Sequence, residues 1–296
     1  NIKFRPDGTE FIKQLRPELY RERTLPVQKV SDLEQDNNPN MPETANVAIF
    51  ATYKTNEEAI EDVCHYIVNN LSDIIQLPEL FFIADKTITN NAEQLAQIED
   101  LSKQLIKQVS SELRPFQYVC TSLVIDGMHQ AVLISENGLF AIQAQMHFCE
   151  RYQWTALADD IKIIELPLEQ GKINIAMLTA DDANIPEIIK VAALNNTQLL
   201  LVPFDIQQGY EVKYGLISRA AENRICILAA SREKSFALDS PNDNTNNNSA
   251  KKNKVKAQKS TGLIINLTTE LTLLSRLKPG KFTGYINQPL VKYQHG

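Results

Sequence analysis

Apolar and polar positions alternate between two rhythms along most of this chain. "NVAIFATY" (46–53) is an apolar run of strand length, and "TNEEAIEDVCHYIVNNL" (55–71) switches to helical spacing with Thr55 placed to cap it. "DIIQLPELFF" (73–82) reads as a second strand that Pro78 ends. "NAEQLAQIEDLSKQLIKQVSSEL" (91–113) is a long amphipathic helix. "QYVCTSLVIDG" and "HQAVLISENG" read as a strand pair, with Asp126-Gly127 and Asn137-Gly138 as turn signals.

The second half repeats the rhythm. "IKIIELPLEQGKINIAMLTA" (161–180) is two strands about a turn at Gln170-Gly171. "PEIIKVAALNN" is a helix opened by Pro186, and "TQLLLVPF" is a strand apolar throughout, as expected when both faces are buried. "YGLISRAAENR" is a helix, "ICILAAS" a buried strand, and "TGLIINLT" and "ELTLLS" close the series. Strands alternating with helices in two similar halves predict α/β layers, and the strand pairs make the sheets mixed rather than purely parallel.

Two stretches break the rhythm. Residues 1–45 hold a short amphipathic segment interrupted by Pro17 and a polar, Pro/Asn-rich linker, so they read as an arm ahead of one domain over 46–296. Residues 239–260 are Asn-rich and then Lys-rich, the composition of a mobile surface insertion. The chain opens on Asn1 rather than Met, which suggests a piece of a longer protein.

Composition narrows the class. At 43% hydrophobic and 22% charged residues the chain is that of a soluble globular protein, and a net charge of −6 argues against a nucleic-acid surface. No stretch has the roughly 18–20 apolar residues that span a bilayer. Cys64, Cys120, Cys149 and Cys226 show no CxxC spacing, so reduced thiols in a cytoplasmic protein are expected. No Gly-rich phosphate loop or metal-ligand spacing is present, and no cofactor is expected.

Three spaced segments resemble the carbon–nitrogen hydrolase (nitrilase/amidase) superfamily: "DIIQLPELFF", "AIQAQMHF", and "INIAMLTADDANIPEIIKVAALNNTQLLLVPF" with "SRAAENRICILAAS" behind it. The resemblance implies a four-layer αββα sandwich of the nitrilase type that commonly pairs across a helical face. It also implies three chemical roles: a Cys thiolate that attacks the substrate carbon, a Glu that moves its proton and activates water, and a Lys that stabilises developing charge.

Carried over by position, the base falls on Glu79, the lysine on Gln145, and the nucleophile, six residues before Pro186, on Ala180. A further family carboxylate falls on Glu150, and the Asp two after the nucleophile on Asp182. His147 and Thr179 complete the candidate binding set. Asp181-Asp182 also read as charges ahead of the helix at Pro186. Alanine offers nothing to attack with, and glutamine carries no charge. Losing members of a catalytic unit costs on the order of 10⁴–10⁶ in rate.

The expectation is therefore a catalytically degenerate relative, binding a small amide or carboxylate or serving as an assembly module. Its partners would be a second copy or a tandem domain, since "FIKQLRPELYRERT" resembles the tail that ends such domains. The alternatives are an active amidase or acyl-transferring enzyme using Thr179 or Cys149 as nucleophile, and a purely structural dimerisation module.

Overall fold

The computed structural model describes residues 44–83, 91–208, 211, 215–236, 258–267, 271–273 and 281–287. The expected N-terminal arm over 1–43 and most of the expected insertion, 239–257, lie outside the described residues.

The described chain forms two six-stranded sheets. The first holds β1 (Thr44–Phe50), β2 (Ile74–Glu79), β3 (Tyr118–Ile125), β4 (Met128–Ser135), β5 (Gly138–Ala144) and β12 (Lys281–Asn287), in the order β12-β1-β2-β3-β4-β5. The second holds β6 (Ile163–Leu168), β7 (Gly171–Met177), β8 (Leu199–Pro203), β9 (Cys226–Phe236), β10 (Gln258–Leu267) and β11 (Leu271–Leu273), in the order β11-β10-β9-β8-β7-β6. Each sheet has three parallel strands, β1-β2-β3 and β7-β8-β9, flanked by antiparallel ones, as the strand pairs in the sequence predicted.

Two helices, α1 (Asn56–Val68) and α2 (Ala92–Glu112), cover the first sheet; α3 (Pro186–Leu194) and α4 (Leu216–Asn223) cover the second. Alternate residues of each strand feed different layers. Ala48, Ile75, Leu77 and Val119 pack with Ile60, Val63, Leu105 and Val109 of the helices. Val47, Ile49, Ile74, Cys120 and Leu133 turn the other way and join Leu166, Ile173, Ile175 and Leu199 between the sheets. Each such aliphatic side chain contributes roughly 1.5–3 kcal/mol by leaving water. The layers are αββα.

Several boundaries differ from the sequence reading for physical reasons. Pro78 lies inside β2, which runs on to Glu79. Its missing N–H shifts the ladder with β3 between Gln76 and Glu79 instead of ending the strand. Thr55 stands at the N-cap of α1, but its hydroxyl makes no capping bond, whereas Asn91 caps α2 by accepting from the Glu93 amide at 3.0 Å. Gln258–Ser260, assigned by composition to the mobile insertion, pair with Lys234–Phe236 as the start of β10. The edge strand β12 was not anticipated; it pairs antiparallel with β1 from Lys281 to Asn287. The turn between β3 and β4 is the one expected: Asp126 and Gly127 have φ of 51° and 68°, the left-handed pair of a type I′ hairpin.

Candidate functional site

The strand ends that carry the candidate residues meet at one side of the sandwich. Glu79 closes β2, Thr179–Asp182 follow β7, and Asp205 follows β8, all at the carboxyl ends of parallel strands, where α/β proteins place ligand sites. Beyond the shifted ladder at Pro78, Glu79 pairs with Ser122 of β3, and its amide donates to the Phe204 carbonyl of the opposite sheet at 3.2 Å. Leu80, next along, adopts a left-handed φ of 39°, a costly conformation for a branched side chain. It is held there by its amide bond to Ser122 Oγ (3.2 Å) and by Arg232 of β9, whose guanidinium donates to the carbonyls of Leu80, Phe81 and Ile83.

Glu79 is buried. Its Oε2 accepts from Arg151 Nη1 and from the Tyr152 hydroxyl, each at 2.8 Å. Arg151 continues outward: Nη1 reaches Asp205 Oδ2 at 2.9 Å and Nη2 reaches Asp181 Oδ2 at 2.7 Å. The Arg151 guanidinium carbon also lies 4.9 Å from the centre of the Tyr152 ring. One guanidinium thus serves three carboxylates from the ends of three strands.

Glu79 Oε1 makes no hydrogen bond. The nearest ring nitrogen, His129 Nε2, is 3.5 Å away. His129 Nδ1 faces Gln145 Oε1 at 3.0 Å, while the Gln145 amide nitrogen donates to the His147 carbonyl (2.6 Å) and Cys149 Sγ (3.3 Å). That orientation makes Nδ1 the protonated nitrogen and leaves Nε2 an acceptor toward Ser122 Oγ at 3.0 Å. Glu79 Oε1 therefore looks at a lone pair, which favours a protonated carboxyl.

Burial pushes the Glu79 carboxyl up to about 7, opposed by Arg151 and reinforced by Asp205 and Asp181. Burial likewise holds His129 neutral, pushing it down to about 4. Burial alone would weaken the charge on Arg151, but Glu79, Tyr152, Asp181 and Asp205 outweigh it and keep that side chain firmly protonated.

The other candidates separate from this centre. Asp182 accepts from the Met146 amide (2.8 Å), the His147 amide (2.9 Å) and the Thr179 hydroxyl (2.8 Å). It therefore pins the stretch after β5 to the stretch after β7 while standing in the first turn of the 3₁₀ segment Asp182–Asn184 ahead of α3; Asp181, its neighbour, pairs with Arg151. Thr179 is buried and its hydroxyl is committed to Asp182. Ala180 is buried between these two differently engaged neighbours. The His147 ring is half exposed, 3.5 Å from Asp182. Glu150 faces solvent at the start of the 3₁₀ turn Glu150–Tyr152, and it is Arg151, one residue on, that enters the centre. The Cys149 thiol is pushed up to about 11 by burial and by Asp181, so little thiolate forms near neutrality.

Sequence reasoning singled out Glu79 and Gln145 but missed His129, Ser122, Arg151, Tyr152 and Asp205. Two signals were available: an Arg-Tyr pair inside the apolar "HFCERYQW", and an Asp directly after the buried strand "LLLVPF". Among the described residues no group of three or more His, Cys, Asp or Glu side chains is placed to hold a metal ion. No helix there is long and apolar enough to cross a membrane.

No protein-family model matches the chain, and no curated protein matches it. Solved structures do. An amidase from Nesterenkonia sp. matches with a TM-score of 0.62 at 14% identity, covering 85% of this chain and 94% of that one. A carbon–nitrogen hydrolase from Helicobacter pylori G27 gives 0.63 at 14% identity, over 85% of this chain and 91% of that one. A variant of the amidase from Nesterenkonia sp. AN1, with the acetamide moiety of fluoroacetamide added covalently at its active site cysteine, gives 0.60 at 14% identity, over 84% and 92% of the respective chains. The chain has the mixed α/β, two-sheet fold of nitrilase superfamily structures.

Proposed function

We infer that this chain is a carbon–nitrogen hydrolase-like domain that does not hydrolyse amides and works by binding or assembly. One observation carries the reading: Arg151 bonds Glu79 Oε2 and is itself tied to Asp181 and Asp205, so the carboxyl expected to act as base is engaged by a neighbouring cation. A base must be free to take a proton from its nucleophile; Glu79 Oε2 is filled by two donors, and Oε1, which has no hydrogen bond, faces the His129 ring 3.5 Å away. The sequence adds two supports. The nucleophile position implied by the resemblance carries Ala180, where the Nesterenkonia amidase uses a cysteine. Gln145, at the lysine position, spends its amide group on His129, His147 and Cys149.

The alternative nucleophiles are poorly placed for the task. Thr179 donates to Asp182, and at Cys149 burial and Asp181 outweigh the Gln145 and backbone donors that would favour its thiolate. A small ligand of this centre would be neutral or cationic. Three carboxylates facing one guanidinium leave no surplus positive charge for an anion, so the carboxylate half of the sequence expectation is the weaker one.

The test is ammonia release from a panel of small primary amides. The native chain is expected to match buffer. Release that disappears in Glu79→Ala would overturn the reading.

A further inference from the structure

We propose that the carboxylate cluster at the carboxyl ends of β2, β7 and β8 is a binding site for a small guanidinium or amidinium ligand, and that Arg151 occupies it as an internal stand-in. The proposal rests on the reading that this centre binds rather than cleaves, and it names the class of ligand.

The argument starts from what surrounds the Arg151 head group. Glu79, Asp181 and Asp205 come from the ends of three different strands and present oxygens at 2.8, 2.7 and 2.9 Å to two of its nitrogens. The Tyr152 ring lies beside the guanidinium carbon at 4.9 Å. Two carboxylates on Nη1 and a third on Nη2, with an aromatic ring near the central carbon, suit a planar cation with two –NH2 groups better than a compact ammonium; Nε, which has no hydrogen bond, is not part of the match. Glu79 adds an independent sign. It is buried, yet Oε1 has no hydrogen-bond partner, so one oxygen of the carboxyl is left over that Arg151 does not use.

The stand-in is also removable in principle. The side chain of Arg151 is 23% exposed, so its head group can reach solvent by changing rotamer. The backbone around it is fixed by contacts that do not involve that head group. Tyr152 bonds Glu79, the Ala158 amide bonds the Gln145 carbonyl, and the Thr155 hydroxyl accepts from the His129 amide. A tethered side chain competes at high effective concentration, which makes the native chain a weak binder of any free competitor.

Removal of the stand-in tests this directly. Arg151→Gly, folded by circular dichroism, is titrated with methylguanidinium chloride by calorimetry at constant ionic strength. Binding at least tenfold tighter than to native protein is expected, and at least tenfold tighter than methylammonium, which has the charge without the planar fork. Adding Asp181→Asn should weaken binding at least tenfold. Equal binding to native protein and variant, or equal binding of the two cations, would overturn the proposal. If Arg151→Gly does not fold unaided, refolding is repeated with methylguanidinium present. Recovery of the native spectrum supports the site, and failure to recover it counts against the site. The readout is binding alone, so a failed titration leaves the absence of amide hydrolysis to be judged by its own assay.

Discussion

Two buried carboxylates, Glu79 at the end of β2 and Asp182 after β7, live under opposite rules. Asp182 is surrounded by donors supplied by the fold: two backbone amides and a neighbouring hydroxyl, all between 2.8 and 2.9 Å. Glu79 depends on side chains alone for its bonds, and one of its oxygens has none. Burial raises both carboxyls above their ordinary values. At Asp182 the donors work against that rise. At Glu79 Arg151 and the Tyr152 hydroxyl also oppose it, but two further carboxylates push the same way as burial. A carboxylate held by the backbone is part of the architecture. One served by exchangeable side chains has the character of a site.

The sharpest way to break this comparison is to remove Asp182. Asp182→Ala strands two backbone amides and a hydroxyl in a buried place, and each orphaned donor costs about 1–3 kcal/mol. A loss of about 3–5 kcal/mol in urea unfolding is expected, near the total stability of many domains. A loss below about 1 kcal/mol would mean that the pin is decorative.

Glu79→Gln should act in the opposite direction, and only above mildly acid pH. The folded-state pKa of about 7 stands above the ordinary 4.5, so the folded chain holds a proton that the unfolded chain has released. Stability from this group is fully present below pH 4.5 and is lost as pH rises through about 7. Glutamine mimics the protonated acid. The variant should therefore match native protein at pH 4.5 and exceed it above pH 7 by on the order of 3 kcal/mol, read as the difference between two urea-unfolding series. A variant less stable than native protein at neutral pH would show that Arg151 holds Glu79 ionised with profit, and the contrast with Asp182 would vanish.

Much of the scaffold was legible because it rests on local rules. The 3.6-residue spacing of Ile98, Leu105 and Val109 marks α2, and Asp126-Gly127 marks a hairpin, whatever the rest of the chain does. Strand β12 escaped because "KFTGYIN" is mostly polar or small and is recruited by pairing with β1. The site divides the same way. Glu79 could be located by the Pro-Glu that ends its strand. Arg151 could not, because its partners lie 72, 30 and 54 residues away and only closure of the sandwich brings them to it. Asp181 and Asp182 look alike in sequence, and a turn of one residue sends one to a guanidinium and the other to backbone amides.

The finest test of the comparison is His147. Its ring stands 3.5 Å from Asp182, close enough to count as an ion pair when protonated, yet half of the side chain is in solvent. Asp182 already receives three short bonds, one of them from the backbone amide of His147 itself. That amide survives replacement of the side chain. Exposed pairs of this sort contribute about 0–1 kcal/mol. His147→Ala is expected to change unfolding stability by less than about 0.5 kcal/mol, an order of magnitude less than Asp182→Ala. A loss above about 2 kcal/mol would place the imidazole, not the backbone, in charge of Asp182. The carboxylate would then be served by a titratable side chain, as Glu79 is, and the distinction between an architectural and a functional acid would have to be drawn elsewhere.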